Sequence, residues 1–115
     1  MAAGIYNITI EQGATFERVF TVTEPDGGLR NFIGHTGRMQ IRRDVDDSTV
    51  LLELTTENGR IELGGTLGTI RLIVAAADTA ALTRGGVYDY EDIDEGGEVD
   101  RLLKGTVVLD KEVTR

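Results

Sequence analysis

Glycine-containing turns divide this chain into short stretches in which apolar and polar residues alternate. The turns fall at Pro25–Gly28, Asn58-Gly59, Gly64–Gly68 and Gly96-Gly97. Asn-Gly between two β-like stretches is a strong hairpin signal, because both residues tolerate the positive φ that tight hairpin turns require. This pattern of glycine turns therefore predicts a small antiparallel β-sandwich or barrel whose surface, rather than a pocket, carries the function.

Length and composition restrict what such a chain can do. Its 115 residues are enough for one domain, spanning residues 1–115, and too few for two. The chain contains no cysteine, which excludes disulfides and thiolate metal sites. A formal net charge of −8 argues against phosphate-driven binding of nucleic acid. The longest uncharged apolar stretch, Leu72–Ala77, is far shorter than the ~20 residues of a membrane-spanning helix. We therefore expect neither nucleic acid nor membrane as a partner.

Period-two alternation predicts eight strands. They cover residues 5–12, 15–23, 36–43, 50–55, 60–63, 69–74, 87–93 and 99–110. Asn58-Gly59 is predicted to form a hairpin between the fourth and fifth strands, and Gly96-Gly97 a hairpin between the last two. Arg18 interrupts an apolar phase, which favours an edge position for the second strand, and Gly105 predicts a bulge or bend.

One helical segment interrupts these strands. It covers residues 76–84, with Asp78 or Thr79 as the N-cap and Gly85-Gly86 at its C-terminal end. The predicted fold class is thus all-β: an immunoglobulin-like antiparallel β-sandwich of about eight strands with one short helix.

Catalytic and metal-binding side chains are scarce. The chain has a single histidine, His35, and a single serine, Ser48, which lacks the strand–turn–helix context of a nucleophile. Two acidic loops, 44–48 and 92–97, resemble the start of a calcium loop but lack its sixth-position glycine or its twelfth-position glutamate. We expect no enzymatic activity, no catalytic, cofactor-binding or metal-binding residue, and no cofactor.

The charge layout is more informative. Residues 89–100 contain seven acids and no base, whereas the strand over 36–43 carries three arginines. These segments either pair with each other inside the fold or meet oppositely charged patches on neighbouring subunits. The predicted partner interface comprises Arg38, Arg42, Arg43, Asp89, Glu91, Asp92, Asp94 and Glu95. Tyr88 and Tyr90 share one strand face, and the hydroxyl of one of them is expected to tie down a corner of the sandwich.

Several segments resemble a family of small tailed-bacteriophage proteins. They are Ile10–Phe16, Gly37–Arg42, Gly68–Leu72, an Ala-Asp-Thr-Ala-Ala-Leu stretch before the Tyr88-Asp89 strand, and Arg101–Gly105 continuing to Glu112–Arg115. Members of this family resemble the immunoglobulin-like N-terminal domain of baseplate upper proteins. Asp92 departs from the family pattern, which has an apolar residue there, and this departure predicts a more exposed or more acidic hairpin.

The resemblance implies a non-enzymatic virion component, made in the host cytoplasm, that acts as an adaptor in the tail, baseplate or fibre-attachment region. Its implied partners are other phage structural proteins and copies of itself. Two alternatives remain open at this point: a capsid decoration protein on the head, and a calcium- or glycan-binding module. No catalytic residue is carried over from the family.

Overall fold

The computed structural model describes residues 3–114, and within them the chain folds as a two-sheet β-sandwich with nine strands. This confirms the predicted all-β sandwich, with one more strand than the eight expected. A 3₁₀-turn at Gly65–Leu67 and one short helix, α1 (Ala76–Ala80), complete the elements. The strands are β1 (Gly4–Ile5), β2 (Ile8–Glu11), β3 (Phe16–Thr21), β4 (Thr36–Arg42), β5 (Val50–Thr55), β6 (Ile61–Leu63), β7 (Thr69–Val74), β8 (Gly86–Ile93) and β9 (Val99–Asp110).

The larger sheet has the order β1-β9-β8-β4-β5, and β2 also pairs with β9. The smaller sheet has the order β3-β7-β6. The predicted edge position of the second strand is confirmed, because β3 pairs with β7 alone. Arg18 lies half-buried on the same face of β3 as Phe16, with its guanidinium 5.4 Å from the centre of the Phe16 ring.

The core lies between the two sheets and follows the period-two pattern of the sequence. Met39, Ile41, Leu54, Ile70 and Tyr90 are each at most 2% exposed. Their outward neighbours on the same strands are polar or charged, so each sheet has one buried face and one solvent-exposed face. The remaining buried apolar residues are Ile8, Ile10, Phe16, Phe32, Leu52, Ile61, Leu72, Val74, Leu82, Tyr88, Leu102 and Val107.

The first predicted strand, residues 5–12, is divided into β1 and β2. Both run parallel to β9, with Gly4 opposite Leu103 and Ile8 opposite Val107. The sandwich is therefore antiparallel except at this edge of the larger sheet. The carbonyl of Tyr6, between β1 and β2, lies directly against Gly105, where an added Cβ would overlap it. The role of Gly105 is thus close backbone approach, and it does not form the predicted bulge.

The Asn58-Gly59 turn connects the two sheets, so the predicted hairpin there is wrong. β5 pairs with β4 in the larger sheet, whereas β6 pairs with β7 in the smaller one. Gly59 has the expected positive φ of 80°, while Asn58 does not. The Asn58 side chain instead accepts hydrogen bonds from the backbone N–H groups of Thr55 and Arg60, each at 3.0 Å. Turn composition alone does not distinguish such a corner from a hairpin.

The helix is shorter than predicted and has a different cap. It ends at Ala80 instead of residue 84, and Ala75 occupies the N-cap position without a side-chain hydrogen bond. Thr79, which was predicted as a possible cap, is buried inside α1. Its hydroxyl donates to the carbonyl of Ala14 at 2.8 Å and accepts from the N–H of Gly13 at 3.0 Å. A helix of five residues is too short to be stable alone, so this tertiary anchor sets the extent of the helix.

A one-residue bulge interrupts the β8–β9 pairing. Tyr90 lies opposite Leu103 and Glu91 opposite Arg101, which leaves Leu102 as the extra residue. Arg101 and Lys104 are three residues apart and would point to opposite faces of a regular strand. The bulge restores them to the same face, which is a known way for a strand to redirect side chains.

Adding a methyl group at Gly105 tests the parallel edge. We expect Gly105→Ala to destabilise the fold by about 1–3 kcal/mol, because the new Cβ displaces the Tyr6 backbone from β9. Chemical denaturation measures this free energy. Gly96→Ala is the control, because its Cβ would meet only Asp94 Oδ1 at 3.5 Å and its φ is not positive. Equal stability of the two variants would contradict the described edge.

Candidate interaction surface

The outer face of the larger sheet is covered by charged and amide side chains, and we call it the charged face. Strand register places these residues in rows across four strands. One row joins Glu53, Gln40, Asp89 and Lys104 in cross-strand pairs. The next row contains the Arg38–Glu91 and Glu91–Arg101 pairs. Because residues between them on β4 and β8 point into the core, the charged face is the solvent side of the sheet.

Ion pairs and hydrogen bonds link neighbouring side chains on the charged face. Arg38 Nε lies 2.6 Å from Glu91 Oε1. Gln40 Nε2 donates to Glu53 Oε2 at 2.8 Å, and the side-chain oxygen Oε1 of Gln40 accepts from Arg42 Nη2 at 2.7 Å. Of the two alternatives left open for the acidic and basic segments, pairing within the fold is observed for Arg38 and Glu91. Exposed pairs of this kind contribute about 1 kcal/mol or less each, so they are open to exchange with a partner.

A groove of about 470 Å³ opens on the charged face beside β1. Two strongly exposed apolar side chains lie on it, Ile5 at 75% and Val45 at 82% exposure. Its ionic lining is Arg42, Arg101 and Lys104 against a single carboxylate, Asp89. Lys104 makes no ion pair in the part of the chain that the structure describes, and Arg42 contacts only neutral oxygens there. The groove is therefore cationic on a chain whose net charge is −8.

Three of the eight predicted interface residues lie away from the centre of the charged face, namely Arg43, Asp94 and Glu95. Arg43 follows β4 and pairs with Asp47 at 2.9 Å. The backbone N–H of Thr49 holds the pKa of Asp47 below its usual value, and Arg43 and Arg42 add to this effect. Asp94 and Glu95 lie in the β8–β9 turn at the opposite end of the sheet. The structure thus brings together Arg38, Arg42, Asp89 and Glu91, but not these three.

Asp92 is not a surface residue, which corrects the prediction of an exposed hairpin at this position. Its side chain is 1% exposed and points inward in phase with Tyr88 and Tyr90. Arg30 Nη2 lies 3.2 Å from Asp92 Oδ2, and His35 Nδ1 lies 2.8 Å from the same oxygen. A buried carboxylate needs such partners, because desolvation of an unpaired charge is costly.

Arg30 is the centre of this buried cluster. It also pairs with Asp100 Oδ2 at 2.9 Å, and its side chain is 12% exposed. Burial by itself would lower the pKa of Arg30, but the hydrogen bonds to Asp100 and Asp92 outweigh it and raise the pKa. The structure places His35, the single histidine of the chain, against Asp92. The sequence signal for this was an acid in the apolar phase of β8 together with a lone arginine and histidine in one preceding loop.

The predicted tyrosine tie is confirmed for Tyr88. Its hydroxyl donates to the Tyr6 carbonyl at 2.6 Å, and burial raises its pKa to about 12. Tyr90 is fully buried, its hydroxyl lies against Gly37, and burial raises its pKa further. Neither Tyr90 Oη nor Asp92 Oδ1 has a hydrogen-bond partner among residues 3–114. Both tyrosines therefore serve the fold and are not available as an exposed aromatic platform.

Among residues 3–114, no group of three or more histidine and acidic side chains is placed to hold a metal ion. No helix in this part of the chain is long and apolar enough to cross a membrane. Comparison with known proteins gives no match, either to a protein-family model or to a curated protein.

Removing the Asp92 carboxylate tests the buried cluster. We expect Asp92→Ala to lower the free energy of unfolding by about 3–5 kcal/mol, because it leaves Arg30 and His35 without a buried anion. Asp89→Ala is the matched control on the same strand, because its pair with Arg101 is exposed and its loss costs about 1 kcal/mol or less. Urea denaturation of both variants gives the comparison. A loss at residue 92 no larger than that at residue 89 would contradict burial of Asp92.

Proposed function

We propose that this protein is a structural component of a bacteriophage virion, an adaptor in the tail, baseplate or fibre-attachment region that acts through protein–protein contacts. The observation that carries the proposal is the charged face with its groove, where exposed apolar and cationic side chains lie together on an acidic chain. A site of this composition is suited to binding another protein, since apolar contact supplies affinity and charge selects the partner. The resemblance of several sequence segments to small tailed-phage proteins supplies the virion context.

The side-chain inventory supports binding over catalysis. His35, the single histidine, is occupied with Asp92, and Ser48 lies in the loop between β4 and β5. Asp92, the partner of His35, is also a structural partner of Arg30. An adaptor function needs none of these groups and uses the outer face of the sheet instead. In a symmetric particle, many copies of a small contact add up to a stable attachment.

Location in the particle tests the proposal directly. Purified phage particles are separated into heads and tails, and each fraction is analysed by mass spectrometry for peptides of this chain. We expect the chain in the tail fraction. Detection on heads would favour a capsid decoration protein instead. Absence from both fractions would contradict a virion function.

Charge reversal on the charged face tests which surface is used. We expect the double variant Arg38→Glu, Arg42→Glu to fold, because both side chains are partly exposed and Arg38 has only a surface partner, Glu91. Its incorporation into particles should fall about tenfold, the equivalent of about 1.4 kcal/mol of contact energy. Incorporation is measured by quantitative mass spectrometry of purified particles.

Arg71→Glu is the control for this experiment. Arg71 lies on the outer face of the smaller sheet and pairs with Glu17 at 2.7 Å and Glu62 at 2.9 Å. Its reversal disrupts ion pairs without touching the charged face, so incorporation should stay near the wild-type level. Equal incorporation of the double variant and the control would contradict the proposal that the charged face is the contact surface.

A further inference from the structure

We propose that the groove on the charged face receives the acidic β8–β9 turn of a second copy of this chain, in a head-to-tail contact. The inference rests on the proposed function as an assembly component and names one partner of the same surface. It is carried by complementary charge, together with exposed apolar side chains, on two separate parts of the molecule. The groove provides the cationic half, and the turn over residues 94–98 provides the acidic half.

The β8–β9 turn is a rigid projection. Asp94 Oδ1 accepts hydrogen bonds from the N–H groups of Gly96 and Glu98, each at 2.9 Å. Gly97 takes a φ of 86°, which completes the reversal of the chain. Because the side chain of Asp94 is used to hold the turn, the turn needs little further ordering when it binds.

Two glutamates carry the charge of the turn, and the side chain of one of them, Glu95, lies against Gly34. Glu95 and Glu98 are exposed, and neither forms an ion pair within residues 3–114. Val99, which follows them, is a 43% exposed apolar side chain. The turn therefore offers two unpaired anions next to an apolar contact. The groove offers Lys104 without an ion pair, next to Ile5 and Val45.

The turn cannot occupy the groove of its own chain. Arg101 lies at the edge of the groove nearest to the turn, whereas Lys104 and its cross-strand partner Asp89 lie further away, with Asp89 and Ile93 four residues apart on β8. An extended strand rises about 3.3 Å per residue, so they are roughly 13 Å apart along a paired strand that does not bend back. Contact between the two features therefore requires a second molecule. Since they are different surfaces, the contact is heterologous and builds a ring or a chain of copies.

Self-association and its dependence on salt are the first measurements. Sedimentation velocity of the purified wild-type protein should show species larger than a monomer that increase with concentration. High salt should dissociate them, because the contact depends on exposed charges. A wild-type protein that remains monomeric over the accessible concentration range would overturn the inference.

Two charge-reversed variants test the geometry. Lys104→Glu leaves two cations and two carboxylates in the groove, which removes its net positive charge, and leaves the turn intact. The double variant Glu95→Lys, Glu98→Lys makes the turn basic and leaves the groove intact. Each variant alone should self-associate at least about tenfold more weakly, because the acidic turn of the first no longer meets a cationic groove and the basic turn of the second meets a groove of like charge. An equimolar mixture should form a one-to-one heterodimer that grows no further, since only one complementary pair of surfaces remains. Absence of that heterodimer would overturn the head-to-tail contact.

Matched controls separate this contact from general charge effects and from misfolding. Lys111→Glu makes the same charge change at the only other lysine, outside the groove, and should self-associate like the wild type. Val45→Asp alters the groove in a loop, without touching the sheet, and should weaken association as Lys104→Glu does. If the protein is found in tails yet remains monomeric in solution, the contact between copies is contradicted and the virion function is not. A protein that forms the heterodimer yet is absent from particles would contradict the virion function alone.

Discussion

The bulge at Leu102 in the β8–β9 pairing is the constraint on which the surface of this molecule depends. In a regular strand, residues three positions apart point to opposite faces. The extra residue lets Arg101 and Lys104 both point outward while Leu102 stays buried and Leu103 packs against the core. Without the bulge, either Arg101 or Lys104 would point into the sandwich. The cationic groove on an acidic chain therefore follows from a single irregularity of the backbone.

The same hairpin joins the interior of the sandwich to its surface. On β8, Glu91 faces outward to Arg38, and the next residue, Asp92, faces inward to Arg30 and His35. The outward pair is exposed and contributes little to stability, whereas the inward group is buried and depends on having all its partners. Charge reversal on the outer face thus changes contacts with other proteins, while charge removal at residue 92 changes the fold. This separation makes the outer face a surface that can vary without loss of the sandwich.

The sequence predicted the strands well because alternation and glycine turns are local signals. Tyr88, Met39 and Ile41 point inward as period two requires, and Gly59 has the expected positive φ. Pairing partners were harder to predict, because Asn58-Gly59 has the same composition in a corner between sheets as in a hairpin. The parallel edge depends on the contact of Gly105 with the Tyr6 backbone, almost a hundred residues away in the chain. Such contacts leave no local pattern. Asp92 was misjudged because an acid in an apolar phase indicates either exposure or a buried ion pair, and only its distant partners decide between them.

Amine labelling of the two lysines tests most directly whether the outer face of the larger sheet is the surface used in assembly. Lys104 lies in the groove, Lys111 lies beyond the end of β9, and both are exposed. An amine-reactive reagent is applied to the free protein in dilute solution and to purified particles, and each lysine is quantified by mass spectrometry. We expect both lysines to react in the free protein and Lys104 alone to be protected in the particle. Equal reactivity of Lys104 in both states would contradict this expectation.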